Sequence, residues 1–343
     1  MKGFDSMFNK LYEKLKKIIS ENFKFILLMI ITIIICFVEL PFYISAPGGV
    51  IDISSKINIE DSYKVDGSFN MAYVTEYKAT LPMLIVALIN NDWDIEKKSD
   101  VLSSTETDKT VLIRDHIMLE EANQNAVIYA YKKANKKISI LNEKIYVTHV
   151  YEFADTNLSV GDQIISINNI EIMNKEHLYN VINTLDKDKL IDIKVKNNNK
   201  TESKSAKLVN YNGSYLIGIM ISSLKEYDVS PNIKINFSKS ESGPSGGLMM
   251  SLAIYNYLTK EDITKGYKIA GTGTIDENGN VGSIGGVEYK IKGAVHDKIK
   301  YFIIPNGDNY EEALKIKNKY NYDIDLIPVN TFEEALEALS KIK

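Results

Sequence analysis

The hydrophobic pattern of the chain opens with fourteen apolar or near-apolar residues, Phe25 to Val38, "FILLMIITIIICFV". After Glu39 the run resumes as "LPFYI", bringing it to about 20 residues, the length an α-helix needs to cross a bilayer. A transmembrane helix is therefore predicted over residues 25–45. The segment before it carries Lys2, Lys10, Lys14, Lys16, Lys17 and Lys24 against Asp5, Glu13 and Glu21. That bias assigns residues 1–24 to a cytoplasmic tail and everything after the span to the outside. "YISAP" offers Ala46 for a signal-peptide cleavage, but Ile44 and Pro47 suit it badly, so an uncleaved signal anchor is expected.

The turn "SAPGGV" follows. Residues 51–115 alternate short β-like runs with polar breaks, interrupted by one helical stretch, "LPMLIVALIN". Residues 115–135 read as an amphipathic helix with Met118, Ala122, Ala126 and Ala130 on one face and Asp115 as its N-cap. Residues 138–209 form a compact β-rich unit. It runs from the strand "KIYVTHV" through an Asn-Asn turn, the helix "EHLYNVINTL" and the strand "LIDIKVK" to a polar hairpin tip, "NNNKTESKS", and a closing "AKLV".

The remainder, 213–343, has an α/β layout. Strands are predicted at "YLIGIMI" and "NIKINF". A helix at "GLMMSLAIYNYLT" precedes a strand pair turning at Asn278-Gly279, then a helix at "GGVEYKIKGAVHDK". Strand and helix alternate to the end, the last helix opening with a Thr331/Glu334 capping box.

Composition narrows the chemistry. Hydrophobic residues make up 45% of the 343 and charged residues 25%, enough for a sizeable core. A net charge of -4, with Arg114 as the only arginine, argues against a general nucleic-acid binder. Cys36 is the only cysteine, so an intrachain disulfide and a cysteine zinc site are excluded. The histidines at 116, 149, 177 and 296 show no HExxH spacing, and no metal or other cofactor is expected. No G-x-x-x-x-G-K-[ST] occurs, so no ATP-binding motor is expected.

The chemistry centres on "SESGPSGGLMMSLAIYNYL". Ser245 stands on a Gly-Pro turn in front of a helix that is apolar nearly all round and must be buried. The N-terminus of such a helix offers free amides and partial positive charge. A serine there has two readings: a cap for the helix, or a nucleophile whose oxyanion the amides hold. A nucleophile needs a base. No histidine suggests itself. Lys290, one turn into the helix opened by Gly285-Gly286, would serve if burial made it neutral, with Lys292 nearby as an ordinary counterpart.

Two resemblances organise these pieces. Leu158, Gly161, Asp162, Ile164, Ile167 and Asn168 follow the pattern L-x-x-G-D-x-I-x-x-I-N, which resembles a PDZ domain. PDZ domains bind an extended peptide by strand addition. The stretch "SILNEKIYV", where a glycine-rich carboxylate-binding loop is expected, has no glycine, which puts capture of a free C-terminus in doubt. "GPSGG" followed by "AGTGTIDENGNVGSIGGVEYK" resembles the proteolytic domain of Lon-type Ser-Lys peptidases.

That resemblance implies a catalytic Ser245 within Gly243-Pro244-Ser245, a general base at Lys290 and a supporting Thr272, with Gly243, Pro244 and Gly246 shaping the turn. "DHIMLEEANQNAVIYA" resembles the helix that precedes the serine strand in Lon domains. Two positions depart from the family pattern. Ser242 stands where ATP-dependent Lon has an acidic residue, and Gly246-Gly247 stands where Ala-Gly is usual.

Taken whole, the chain resembles bacterial PDZ-containing, Lon-like membrane proteases. The expected fold is a multidomain α+β and α/β protein. A transmembrane helix precedes a Lon-type proteolytic domain, of ribosomal-protein-like α/β fold, split by a PDZ insertion. Its parts would be the tail 1–24, the anchor 25–45, the first proteolytic part 46–137, the PDZ unit 138–212 and the catalytic part 213–343. The function implied is an ATP-independent serine endopeptidase acting through an acyl-enzyme, single-pass in the cell membrane with its catalytic domain extracellular. The expected partners are a peptide or protein substrate, the membrane and, as an open alternative, a second copy in a homo-oligomer. The rival reading is a non-catalytic PDZ scaffold on a Lon-like fold.

Overall fold

The computed structural model describes residues 2–238 and 240–342, with side chains from residue 11 onward. Lys2 and Lys10 of the tail therefore lie outside the described side chains.

In chain order the helices are α1 (Lys2–Glu21), α2 (Phe23–Phe37), α3 (Leu81–Ile89), α4 (Lys98–Val101), α5 (Asp108–Lys133), α6 (Lys175–Asn183), α7 (Gly247–Leu258), α8 (Val287–His296), α9 (Asp308–Tyr320) and α10 (Phe332–Lys341). The strands begin with β1 (Phe42–Asp52), β2 (Ile57–Ile59), β3 (Ser68–Lys78), β4 (Asp94–Lys97), β5 (Lys137–Val150), β6 (Asp155–Thr156), β7 (Gln163–Ile167), β8 (Ile170–Glu171), β9 (Ile191–Asn197) and β10 (Lys200–Lys207). They continue with β11 (Val209–Tyr211), β12 (Ser214–Leu216), β13 (Ile219–Ser230), β14 (Ile233–Ile235), β15 (Lys268–Gly271), β16 (Thr274–Ile275), β17 (Val281–Gly282), β18 (Tyr301–Pro305) and β19 (Asp325–Val329).

The chain divides into two compact units, Met1–Ala46 with Glu76–Val101, and Pro47–Thr75 with Leu102–Lys343. Residues 76–101, expected within the first proteolytic part, thus group with the N-terminal helices.

In the first unit the helix expected over 25–45 ends at Phe37, with Val38 already extended at φ -68° and ψ 119°. Pro41 explains the break: it has no amide proton and disfavours helical backbone at the residue before it. Residues from Phe42 instead join the start of β1, which pairs antiparallel with β4 from Phe42↔Lys97 to Ser45↔Asp94. The fifteen residues of α2 span about 22 Å, short of a ~30 Å hydrocarbon core. No single helix among the described residues is long and apolar enough to cross a membrane. Leu11–Glu21 and Phe23–Phe37 reach that length only as a pair, bent by 80°.

In the second unit the strand order is β19-β18-β15-β3-β1, with β19, β18, β15 and β3 parallel. Alternation along these strands feeds two cores. Phe69, Met71, Ile269 and Ile303 point into one with α7 and α10. Ala72, Ala270, Phe302 and Ile304 point into the other with α8 and α9. A helix on each face of a parallel sheet buries both faces. The helix α7 is buried along ten of its twelve residues, because almost none of its sequence is polar.

The helix read from Asp115 starts about two turns earlier, at Asp108. Thr107 and Thr110 form a reciprocal capping box, leaving Asp115 inside α5. Thr331 accepts from the Glu334 amide as expected, but the Glu334 carboxylate reaches back to the Asn330 amide. A separate sheet, ordered β13-β5-β7-β9-β10-β6, encloses its own core of Ile145, Val147, Ile164, Ile167, Leu178 and Ile193, among others. The polar "NNNKTESKS" is mostly strand. The turn is only Asn198-Asn199, both left-handed at φ 47° and 63°, and β10 resumes opposite β9 at Lys200↔Asn197.

Candidate active site

Ser245 occupies a turn fixed at both ends. The Gly243 amide donates to the Asp115 carbonyl of α5 at 3.1 Å, and the Gly247 amide to the Pro244 carbonyl at 3.2 Å. Gly243 holds φ +87°, a left-handed backbone that glycine adopts freely. Gly246 is the N-cap of α7, and a Cβ there would lie 2.9 Å from Met71 Sδ. The amides of Ser245 and Gly246 donate to no protein acceptor among the described residues. Two free donors at the head of a twelve-residue helix suit an oxyanion.

Thr272 stands just past the carboxyl end of β15, where parallel sheets place their sites. It is fully buried, and its amide donates to the Ile303 carbonyl at 2.9 Å. The neighbouring Gly271 permits this approach, since a Cβ would sit 2.5 Å from the Ile303 carbonyl oxygen. The Ser245 carbonyl receives two bonds from this loop, from Thr272 Oγ1 at 3.1 Å and from the Gly273 amide at 2.7 Å. The Leu248 amide returns to the Gly273 carbonyl at 3.0 Å. Three hydrogen bonds thus stitch the serine turn and the head of α7 to the Gly271-Thr272-Gly273 loop.

Lys290 lies one turn into α8, whose N-cap Gly286 is left-handed. It is 3% exposed, and its Nζ donates to Thr272 Oγ1 at 3.1 Å. The single threonine hydroxyl proton goes to the Ser245 carbonyl, so the threonine accepts from the lysine. Desolvation pulls the Lys290 amine down from 10.5 to about 8. Lys292 makes the contrast. It is almost as buried, at 8% exposed, but pairs with Glu288 at 2.8 Å and lies 5.0 Å over the Tyr320 ring. Lys290 therefore has a neutral hydroxyl as its partner where Lys292 has a carboxylate.

Among the described residues no group of three or more His, Cys, Asp or Glu could hold a metal. His149 is engaged with Glu106 and His296 with Asp297. Glu241, one residue before Ser242, is held by Lys56 at 2.5 Å.

Ser245, Thr272 and Lys290 fall in the part of the chain that matches a known family. Residues 230–341 match the Lon protease (S16) C-terminal proteolytic domain. The chain is 30% identical over 121 residues to a Lon protease of Xanthomonas oryzae pv. oryzae, covering 35% of this chain and 14% of that protein. It is 36% identical over 96 residues to a Lon protease of Campylobacter jejuni, covering 28% and 12%. It is 38% identical over 97 residues to Lon protease 2 of Bacillus subtilis, covering 28% and 16%. The similarity therefore spans well under a fifth of each relative and supports a serine peptidase domain.

Sequence reasoning missed the backbone partners of the serine turn and its neighbouring loop, the carbonyls of Asp115 and Ile303, because any residue type supplies them. "SILNEKIYV" lies inside β5, paired with β13. A cavity of about 460 Å³ opens between α6 and residues 215–221, lined by Leu178, Ile182, Leu216, Gly218, Ile219 and Ile221. Gly218, left-handed at φ +80°, marks the bend at its edge.

Proposed function

We propose that the chain is an ATP-independent, membrane-anchored serine endopeptidase with a Ser245–Lys290 dyad. The observation that carries this is the buried Lys290 amine, matched to a neutral hydroxyl and lying near pH 8. Neutral Lys290 takes the Ser245 proton as Oγ attacks a peptide carbonyl. The free amides at the head of α7 receive the oxyanion. Collapse expels the amine leaving group, which takes the proton back from Lys290 and leaves an acyl-serine. Water, deprotonated by the same amine, then attacks the ester, and the proton returns to Ser245 as the acid product leaves. Thr272 keeps the lysine in place and acts as a positioning residue.

Residues 138–212 are read as a PDZ unit that docks an extended segment of substrate, supported by the separate hydrophobic core and the cavity beside α6. Residues 1–24 are read as the cytoplasmic tail, and α2 as the core of the anchor, supported by its exposed apolar surface. The protease then faces outward.

The test is peptide release by the purified full chain in detergent, with and without ATP. Cleavage that is insensitive to ATP, and abolished by Ser245→Ala, is expected. A wild-type protein that binds peptide without cutting it would favour the scaffold reading. Protease added to intact cells should digest residues beyond about 45. Digestion only after permeabilisation would reverse the topology.

A further inference from the structure

The helix α3, "LPMLIVALI", has its polarity inverted. Met83, Leu84 and Ala87 face a small core with Ile44 and Ala79. The opposite face is Leu81, Ile85, Val86, Leu88 and Ile89, exposed by 44%, 52%, 48%, 76% and 78%. At 100° per residue these five fill one continuous arc of about 160°. A helix bordering water carries polar residues there. Residues 79–91 contain no charge at all, and Lys78 and Asp92 bracket them.

We infer that α3 is a second membrane-contacting element, with this face set in the apolar edge of the outer leaflet. The inference rests on the reading of α2 as an anchor. Three observations point to lipid rather than a second copy. The start of α3 is tied to the end of α2: the Leu40 amide donates to the Ala79 carbonyl at 2.7 Å, the Ala79 amide to the Phe42 carbonyl at 3.0 Å, and Lys78 pairs with Glu39 at 3.1 Å. The two helices also pack on each other, and α2 exposes apolar side chains of its own, such as Ile30 and Ile34, so one apolar medium covers both. Finally, Tyr77 and Trp93, from the two sides of α3, stack at 5.9 Å, and such aromatic residues favour the membrane–water boundary. At nine residues, or about 14 Å, α3 is too short to span and fits an element that dips and returns.

Trp93 is the only tryptophan, so its fluorescence reports on this element alone. The full chain is reconstituted in phosphatidylcholine vesicles, and flotation first reads whether it is anchored. Quenching is then compared for lipids brominated near the top or near the end of the acyl chain. Strong quenching by the shallow label and weak quenching by the deep one is expected. Leu88→Asp with Ile89→Asp should lose that quenching while flotation persists, and both sites are exposed enough to leave folding intact. Protein that floats with Trp93 unquenched, or quenching that the double variant leaves unchanged, overturns the inference and spares the anchor. Protein that does not float overturns both.

Discussion

Lys290 and Thr272 meet inside the protein, Nζ to Oγ1 at 3.1 Å, and no carboxylate enters the pair. The arrangement gives a lysine a fixed direction without giving it a reason to stay charged. Thr272 is also bonded to the Ser245 carbonyl, so one hydroxyl sets the spacing between the helix that carries the amine and the turn that carries the serine.

Removing either end of the dyad should therefore cost nearly all activity. Ser245→Ala and Lys290→Ala are expected to lower kcat/KM for an unstructured peptide by about 10³-fold or more, because nucleophile and base act as a unit. Thr272→Val deletes two hydrogen bonds without touching the reacting atoms. A loss of about tenfold, the worth of one net hydrogen bond or slightly more, is expected mainly in kcat. Near-wild-type turnover in Lys290→Ala would sink the dyad, and loss in Thr272→Val equal to that of Ser245→Ala would make the threonine catalytic.

The depressed amine predicts two pH dependences with the same sign. A base works when neutral, so kcat/KM should rise as pH increases through about 8 and level off above it. Stability follows by linkage. The unfolded lysine titrates near 10.5 and the folded one near 8, so between these values the unfolded chain binds the extra proton. Stability from this group therefore rises with pH from 8 towards 10.5, and below 8 the buried charge costs about 3 kcal/mol. Lys290→Met should raise Tm at pH 7 while abolishing cleavage, and its advantage should shrink by pH 10. Calorimetry at the two pH values checks this, and a variant less stable than wild type at pH 7 would contradict it.

The glycine that opens α8 should be intolerant. Gly286 holds φ +68° and ψ 36°, and a Cβ there would lie 2.6 Å from Val74 Cγ2. Alanine then incurs left-handed strain of about 1–2 kcal/mol and overpacking of about 1–3 kcal/mol. Denaturant melts of Gly286→Ala should show a loss of about 2–5 kcal/mol. Val74→Ala in the same chain should recover the packing part and leave the backbone part. A double variant no better than the single one would mean that the strain alone decides.

What could be read from the sequence follows from how local each signal was. The turn at Ser245, the strand end at Thr272 and the helix start at Lys290 are punctuated by glycine and proline within a few residues, so their positions were legible. Residues 38–45 were not, because hydrophobicity alone does not separate helix from strand, and the break depended on Pro41 and on β4 more than forty residues away. The start of α5 was misplaced because two threonines cap it reciprocally, a signal as small as the Asp115 it displaced. The local pattern does not separate Lys290 from Lys292; the family resemblance selects Lys290, and the structure adds that Glu288 and Tyr320 engage Lys292.

The last expectation concerns how the inserted sheet is joined. β5 enters it and β13 leaves it, and they pair antiparallel from Lys137↔Ser230 to Val150↔Ile219. The lower half of this ribbon belongs to the larger core, where Ile138, Tyr227 and Val229 pack. Its hold on α5 is direct: the Ser223 and Lys225 amides donate to Glu121 and Gln124. Every buried member of the second core lies between Ile145 and Ile217. Removing residues 139–210, close to the boundaries 138–212 expected for that unit, would therefore take β5 away from β13 and expose Tyr227 and Val229. A cut across the ribbon avoids this. Lys144 and Leu224 are paired, so replacing residues 145–223 by Asn-Gly closes the ribbon with a two-residue hairpin. That shortened protein should fold cooperatively and still cleave a short unstructured peptide, while cleavage of the native substrate falls. The 139–210 deletion should be insoluble or molten under the same conditions. If the cut at 145–223 folds but cleaves nothing, the inserted sheet contributes to the active site itself, and the reading of it as a separate docking unit fails.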